Sequence, residues 1–437
     1  MMRRCSLTLS LFLVVIVPAL LLPTTSTRAG DADNIKNFKL RATIQIPLAD
    51  ATINPQQVFR FFDISWVDEP TERYFVADRS NAGVDIIDTE TNTFVDRIGG
   101  FAGQKFTATG AADNAHSGPD GVLVIHSANQ LWAGDGNSTV KVFDLATNIH
   151  VATISTCGPP AGPKDEDPVK CARADEMAHA PGEHIVAAAN NAADPTPFVT
   201  LISTETFSVL QRITFDSVLA QSLGHTSFLD STGAPGGIEQ PAWDPATRRF
   251  YISVPTIDGS DTKGAIAVIN PDTMTVERLF EVDDCNPAGL TLGPHQNLLV
   301  GCGLSNGQSL IVNARTGQQT RIFGVGGSDE VWFNRGDGNY YLAARNNVKL
   351  NPDGSVFIDP ATGNAVAMPS LGIIDAATNT FLGNVSTGPT NGNHSVAADR
   401  KNNHVFVPLR DGTTTPANLP CAKGCIGVYG SDGDKDD

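Results

Sequence analysis

Alternating apolar and polar positions recur along most of the chain in short runs. "VDIIDTETNTFVDRI" (84–98), "VKVFDLATNIHVATI" (140–154) and "LGIIDAATNTFLGNV" (371–385) each join two such runs through an Asp-x-x-Thr-Asn turn. Alternation with a period of two predicts half-buried strands. Asp and Asn supply the side-chain hydrogen bonds and the left-handed backbone that tight turns need. These stretches are therefore predicted to be β-hairpins.

Another strand pair precedes each of these hairpins, as in "RYFVAD" (73–78) and "HVFVPL" (404–409). The repeating unit is thus four strands, with the spacing of propeller blades. Seven first strands are predicted to begin near Asp63, Asp120, Glu176, Glu239, Ala288, Glu330 and His394. The seventh unit has only three strands, and the run "FKLRATIQIP" (38–47) is predicted to complete it. We expect an all-β fold, a seven-bladed β-propeller of four-stranded antiparallel blades closed by an N-terminal strand.

The first residues have the pattern of an export signal. Arg3 and Arg4 precede an apolar run from Leu7 to Leu22, and small residues follow up to Ala29. This order of charge, apolar core and small residues is typical of a cleaved signal peptide, with a retained membrane anchor as the alternative. We predict a signal at residues 1–29, one propeller domain at 30–430, a disordered acidic tail at 431–437 and a secreted or periplasmic location.

Cysteine content and charge narrow the class of protein. Six cysteines follow the predicted signal, an even number that indicates disulfides in an exported chain. Their grouping favours three local pairs, Cys157–Cys171, Cys285–Cys302 and Cys421–Cys425. The formal net charge is -17, and no cluster of Lys or Arg stands out. Nucleic acid, and a membrane surface once the signal is removed, are therefore excluded as partners.

Long connections are concentrated on one face of the predicted propeller, which we call the loop-rich face. Strand order places on it the segments 99–119, 155–175, 214–238, 345–370 and 410–424. Long loops in compact domains are usually functional or disordered, and their concentration on one face favours function. We expect a monomer that binds a small molecule or a protein at this face.

The predicted starts of the first strands surround the mouth of the central channel on the loop-rich face. Six of them carry ionisable side chains, and these form the predicted metal site: Asp63, Asp120, Glu176, Glu239, Glu330 and His394. Asp329 is a rival to Glu330, and blade five supplies Ala288 or, after a shift of two residues, Asn286. Crowded carboxylates repel one another and lose solvation, costs that a bound cation offsets. Ca²⁺ suits such ligands best, while Mg²⁺, Mn²⁺, Fe²⁺ and Zn²⁺ stay open, as does a merely solvated ring.

The "V-x-V-I-D-x-x-T-N-x-V" hairpins and "HSVAAD…NHVFVPL" (394–409) resemble the YVTN-type propellers of bacterial exported proteins. That resemblance implies a seven-bladed binding scaffold. More distantly, the acidic mouth is similar to gluconolactonase-type and paraoxonase-type metal propellers. That second resemblance implies that Glu176, Glu239 and Glu330 hold a cation while His394 or Asp120 acts as a base. We therefore expect an exported binding module with a cation or ligand site, and a metal-dependent lactonase or esterase is the alternative.

Overall fold

The computed structural model describes residues 37–157, 172–191, 196–389, 392–416 and 419–431. These residues form seven four-stranded antiparallel sheets, each made of strands that are consecutive in the chain except at the closure. First strands contact first strands of neighbouring sheets, so the sheets are arranged radially as blades around a channel. The predicted all-β, seven-bladed propeller is confirmed.

Blades one to four follow one another along the chain. Their strands are β2 Ser65–Asp68, β3 Arg73–Asp78, β4 Gly83–Asp88 and β5 Thr93–Gly99; β6 Val122–Ile125, β7 Gln130–Asp135, β8 Thr139–Asp144 and β9 Ile149–Ser155; β10 Met177–Ala180, β11 Ile185–Asn190, β12 Phe198–Ser203 and β13 Val209–Thr214; β14 Pro241–Asp244, β15 Arg249–Val254, β16 Lys263–Asn270 and β17 Thr275–Asp283. In these four blades the first strand has four residues and is shorter than the three that follow it.

Blades five to seven complete the ring. Their strands are β18 Pro287–Leu292, β19 Asn297–Cys302, β20 Gln308–Asn313 and β21 Gln319–Phe323; β22 Val331–Asn334, β23 Asn339–Ala344, β24 Ser370–Asp375 and β25 Thr380–Ser386; β26 Ala397–Ala398, β27 Val405–Leu409, β28 Cys425–Gly430 and the N-terminal β1 Lys39–Ile44. β1 pairs antiparallel with β28, from Lys39 opposite Gly430 to Ile44 opposite Ile426. The N-terminal strand therefore closes the propeller, as the sequence predicts.

The Asp-x-x-Thr-Asn segments form the tight turns that their residues predict. In blade one, Asp88 Oδ1 accepts hydrogen bonds from the backbone N–H groups of Glu90 and Thr91, at 3.1 and 2.8 Å. Asn92 then adopts φ of 54°, the left-handed conformation that Asn tolerates better than most residues. The second and third strands pack apolar residues between neighbouring blades, as Val199 and Leu201 of β12 and Phe250 and Ile252 of β15 do between blades three and four.

The long connections lie on one face, where the first strands begin. One of them contains a short helix, α1 Ser217–Ser222, whose first turn is capped by Asp216. Disulfides at this face join Cys285 to Cys302 and Cys421 to Cys425, with Cα–Cα distances of 4.5 and 5.2 Å, so both predictions are confirmed. Cys171, the predicted partner of Cys157, lies outside the described residues. In the described part of the chain, no helix has the length and apolar character to cross a membrane.

Candidate functional site at the channel mouth

A cavity of about 320 Å³ opens where the first strands begin, on the loop-rich face; we call it the upper cavity. Four of the six predicted site residues line it: Asp63, Glu176, Glu239 and His394. The other two, Asp120 and Glu330, are buried beside it and do not form its wall. Asn286, Ala288 and Asp329, the alternatives at blades five and six, also line the cavity. The structure thus brings first-strand starts from around the ring to one mouth.

Two buried arginines neutralise the acids on one side of the mouth. Arg79 Nε donates to Asp120 Oδ1 at 2.8 Å, and its Nη2 also contacts Asp120 and Asp63. Arg173 Nε donates to Asp175 Oδ2 at 2.7 Å and lies 3.8 Å from Asp120 Oδ1. Because the side chains of Arg79 and Asp120 are only 6% and 0% exposed, these are buried ion pairs. We call these five residues the paired half of the mouth.

Asp63 is held in its charged form by this arrangement. Burial opposes its ionisation, but Arg79 and then His394 outweigh burial and lower the pKa of Asp63 below its usual range. Burial lowers the pKa of Arg79, but the negative charges of Asp120 and Asp63 together have the larger effect, so the pKa of the guanidinium is raised. Burial nevertheless raises the pKa of Asp120 well above its usual value and also raises that of Asp175, although Arg79 and Arg173 oppose these shifts.

His394 is bonded at both ring nitrogens. Nδ1 lies 2.6 Å from the backbone oxygen of Gly392, and Nε2 lies 3.1 Å from Asp63 Oδ1. Since a carbonyl and a carboxylate oxygen only accept, both nitrogens must carry hydrogen for both bonds to form. The ring also stacks on Phe62, with 5.4 Å between the ring centroids. In this arrangement both ring nitrogens of His394 are engaged by oxygen atoms of the protein, so neither is available to a metal or to a substrate.

Glu330 binds the inner edges of two other blades. Its Oε2 accepts from the backbone N–H of Ser65 at 3.2 Å, from the N–H of Val396 at 2.9 Å and from the hydroxyl of Ser395 at 2.5 Å. Burial raises the pKa of Glu330 to about 8 despite these donors. A side chain of blade six therefore ties blade seven to blade one.

Glu176 and Glu239 form the unpaired half of the mouth. Glu176 is 3% exposed, and its Oε2 has no hydrogen-bond partner among the described residues. Glu239 is part-buried and accepts one bond, from Asn191 Nδ2 at 3.3 Å. Burial, followed by the nearby charges of Asp175 and Glu239, raises the pKa of Glu176 well above its usual value. Burial and then Asp329 raise the pKa of Glu239 to about 8.

Glycines in blade two allow the segment that carries Arg173 to Glu176 to lie against the channel wall. A Cβ on Gly121 would lie 2.0 Å from the backbone oxygen of Asp175, and one on Gly134 would lie 2.1 Å from that of Ala174. Only glycine permits this approach. The backbone N–H of Asp175 donates to the backbone oxygen of Ala189 at 2.7 Å. This bond places the following residue, Glu176, directly before β10.

The comparison of first-strand starts misses the arginines because neither is on a first strand. Arg79 directly follows β3 and Arg173 precedes β10 in a long connection. The available signal is local: each stands next to an acid or one residue from it, in "VADRSN" (76–81) and "ARADEM" (172–177). These cations offset part of the predicted repulsion among the carboxylates of the paired half.

The donors at the mouth do not form a complete metal site as they stand. Across the residues that the structure describes, no group of three or more His, Cys, Asp and Glu side chains is arranged to hold an ion. Asp63 and Asp120 are engaged by Arg79, and His394 has both nitrogens occupied. Buried carboxylate oxygens without a hydrogen-bond partner among the described residues remain on Glu176 (Oε2), Asp120 (Oδ2) and Asp175 (Oδ1). With Glu239 they are still fewer than the six to eight oxygen ligands that Ca²⁺ takes.

Comparisons with known proteins support the fold alone. Two solved structures are similar to this chain over most of their length, each at 12% sequence identity. The alignment with Kuenenia stuttgartiensis hydrazine synthase covers 86% of this chain and 96% of that chain, with a TM-score of 0.56. A chain of the mitotic checkpoint complex covers 97% and 98%, with a TM-score of 0.52. No family model and no curated protein matches the sequence.

Proposed function

We propose that this propeller is an exported binding protein that takes a small ligand with a positively charged nitrogen into the upper cavity. The observation that carries the proposal is the unpaired half of the mouth. Glu176 is a buried carboxyl with an oxygen that has no partner among the described residues, and Glu239 stands on the same cavity wall. Of the acids that line the cavity, Glu176 and Glu239 form no ion pair within the described chain, whereas arginines pair with the others, which are Asp63, Asp175 and Asp329.

The chemistry of the ligand follows from the raised pKa values. A buried carboxyl without a cation keeps its proton, which is the state favoured for Glu176 and for Glu239 near neutral pH. An ammonium group replaces that proton with a charge-assisted hydrogen bond, which is stronger than a neutral one. Asn114, Asn286 and Asn346 on the same wall offer neutral donors and acceptors to the rest of a polar ligand.

Export is supported by three independent features. The N-terminal pattern of charge and apolar residues is typical of a signal peptide, and two disulfides join cysteines of the propeller. The resemblance of the hairpins to YVTN-type exported propellers points the same way. A binding role also fits the fold, because propellers carry unrelated functions on one scaffold and the site decides among them.

We do not extend the proposal to catalysis. The hydrolase alternative needs His394 or Asp120 as a base, and neither is free: both His394 nitrogens are bonded, and Asp120 is paired with Arg79. Binding of a metal by all six predicted residues would likewise require the ion pairs of Asp63 and Asp120 with Arg79 to break. A divalent cation at the channel mouth stays a prediction, which the same experiment distinguishes from an amine.

Calorimetric titration of the purified mature protein tests the proposal. Ethanolamine, putrescine and Ca²⁺ are titrated separately into the wild type, into a Glu176→Gln/Glu239→Gln variant and into Glu205→Gln, whose glutamate is 68% exposed and serves as the matched control. We expect an amine to bind the wild type and the control, and the double variant to lose at least about tenfold in affinity.

The pH dependence gives a second readout. Because binding displaces protons from groups with raised pKa values, affinity for the amine rises from pH 6 to pH 9, and binding releases protons in buffers of different ionisation enthalpy. Stoichiometric Ca²⁺ binding without amine binding would reassign the site to a metal. Absence of both, or amine binding that the double variant retains, would refute the proposal.

A further inference from the structure

A second cavity, of about 530 Å³, lies at the opposite end of the channel, where the first strands end; we call it the lower cavity. Its wall includes Trp66, Trp243, Trp332 and Phe333, together with His179 and Arg335. The volume falls within the range typical of small-molecule sites. It contains three of the four tryptophans of the chain. Nothing in the upper cavity accounts for this concentration of aromatic surface.

The tryptophans are positioned by the shape of blade seven. Trp66 of blade one and Trp332 of blade six meet edge to face, with 5.2 Å between ring centroids, although blade seven lies between their blades. The first strand of blade seven is only Ala397–Ala398, and its small side chains leave room for the two indoles. All three tryptophans are part-buried, so part of each indole surface is open.

The lower cavity is rich in hydrogen-bond donors that have no acceptor. Within the described chain, none of the indole N–H groups of Trp66, Trp243 and Trp332 donates to a protein acceptor, whereas that of Trp132 donates to Gln130 at 3.0 Å. The His179 ring likewise makes no hydrogen bond, and burial lowers its pKa to about 4, so it is neutral at pH 7. Arg335 is exposed, and the described residues give it no ion pair.

The acceptors on the same wall are already engaged. Asp68 Oδ2 accepts from the Thr71 hydroxyl at 2.5 Å and lies 3.2 Å from His126 Nδ1. Glu69 pairs with Arg400 at 3.0 Å. Gln240 Oε1 accepts from the backbone N–H of Leu290 at 2.7 Å. The cavity therefore offers donors, one cation and aromatic surface, and a ligand that complements it must bring acceptors and negative charge.

We propose that the lower cavity binds a small planar aromatic carboxylate. The ring stacks against the indoles, which prefer offset or edge-to-face contacts with other rings. Arg335 pairs with the carboxylate, a planar match that a guanidinium makes with two parallel hydrogen bonds. His179 and the indole N–H groups supply further donors. This site is independent of the proposed function of the upper cavity.

Tryptophan fluorescence is the natural measurement, because most of the indoles lie at this site and the remaining one, Trp132, is fully buried in blade two. Benzoate, benzamide and benzylamine are compared as probes that share a ring and differ in charge. We expect benzoate to quench with saturation, benzamide to bind about tenfold more weakly and benzylamine to show no saturable effect. Calorimetry with benzoate checks the stoichiometry of one.

Variants separate the charge from the stacking. Arg335→Gln, at an exposed position, is expected to remove the preference for benzoate over benzamide, while Arg345→Gln, at the other mouth, leaves it intact. Trp332→Leu is expected to weaken both probes by a similar factor, and Trp332→Phe to restore most of the affinity. Equal binding of benzoate and benzylamine, or a benzoate preference that survives Arg335→Gln, would overturn the assignment.

Discussion

The paired and the unpaired halves of the channel mouth solve the same electrostatic problem in different ways. On one side Arg79 and Arg173 bring permanent charge to Asp63, Asp120 and Asp175. On the other, Glu176 and Glu239 form no ion pair within the described residues, and burial raises their pKa values, as it also raises those of Asp120 and Asp175 despite their arginines. A buried acid thus requires either a cation or a proton. The acids that rely on a proton are those that can exchange it for a ligand.

Removing the central cation of the paired half is expected to have the largest effect. Arg79→Met leaves Asp63 and Asp120 buried without their main partner, and we expect a loss of about 3–5 kcal/mol in the free energy of unfolding. Urea unfolding at pH 7 measures this. The matched control is Arg345→Met, because Arg345 is 38% exposed in its pair with Asp329 and should cost less than about 1 kcal/mol. Equal losses would show that burial does not distinguish the two pairs.

The second largest effect is expected from Glu330, whose carboxyl accepts hydrogen bonds from neutral donors. Glu330→Ala removes the acceptor of the N–H groups of Ser65 and Val396, and leaving both unsatisfied costs about 2–4 kcal/mol. Glu330→Gln keeps an acceptor oxygen and should lose markedly less. Thermal unfolding of the two variants against the wild type gives the comparison. A Gln variant as unstable as the Ala variant would mean that the charge of Glu330, and not its hydrogen bonds, holds the blades.

The unpaired half should make the protein less stable as pH rises. Glu239 has a pKa of about 8 in the folded protein and an ordinary one near 4.5 when unfolded. Between these values the folded state binds the extra proton, so stability is greatest below about pH 4.5 and falls until about pH 8. Glu239→Gln should flatten this decline and gain on the order of 1–2 kcal/mol over the wild type at pH 8. Glu330 titrates in the same window and leaves a residual slope.

Chemical unfolding from pH 5 to pH 9 checks this sign, with Glu205→Gln as the exposed control. The prediction would be wrong if the stability of the wild type rose with pH in this window and Glu239→Gln left that slope unchanged. Glu239 would then be ionised in the folded protein, as Asp63 is.

The smallest expected effect comes from Asp329, whose charge adds to burial in raising the pKa values of Glu239 and Glu176. Asp329→Asn should lower the pH at which the decline in stability ends by less than about one unit. It should change the stability at pH 5 by less than about 1 kcal/mol. An upward displacement of that pH would contradict the proposed coupling.

The fold follows from the sequence because its determinants are local. Each Asp-x-x-Thr-Asn turn defines a hairpin, and the incomplete seventh unit together with the orphan strand at 38–47 requires closure by β1. The position of Asp63, Glu176, Glu239 and His394 at one mouth follows from the repeat, because equivalent positions in each blade lie at equivalent depths.

The charge state of the mouth could not be predicted in the same way. Arg79 directly follows the second strand of its blade, as Arg345 and Arg410 do in blades six and seven, but a comparison of first-strand starts does not include this position. Arg173 lies in the long connection between blades two and three. Which carboxylates the side chains of Arg79 and Arg173 contact depends on their conformations across the mouth, and the sequence period does not determine these conformations. The lower cavity was missed for a related reason: Trp66 and Trp332 contact each other only because an intervening blade begins with two alanines.

The pairing of β1 with β28 has a consequence for biogenesis. The N-terminal strand β1 pairs with β28, which follows all other strands of the ring in the chain. Blade seven is therefore incomplete until β28 has been synthesised. Non-local pairing of this kind slows folding and prolongs exposure of unpaired edges. Under the export that we propose, such a delay is useful, since an unfinished ring stays translocation-competent until β28 has been synthesised.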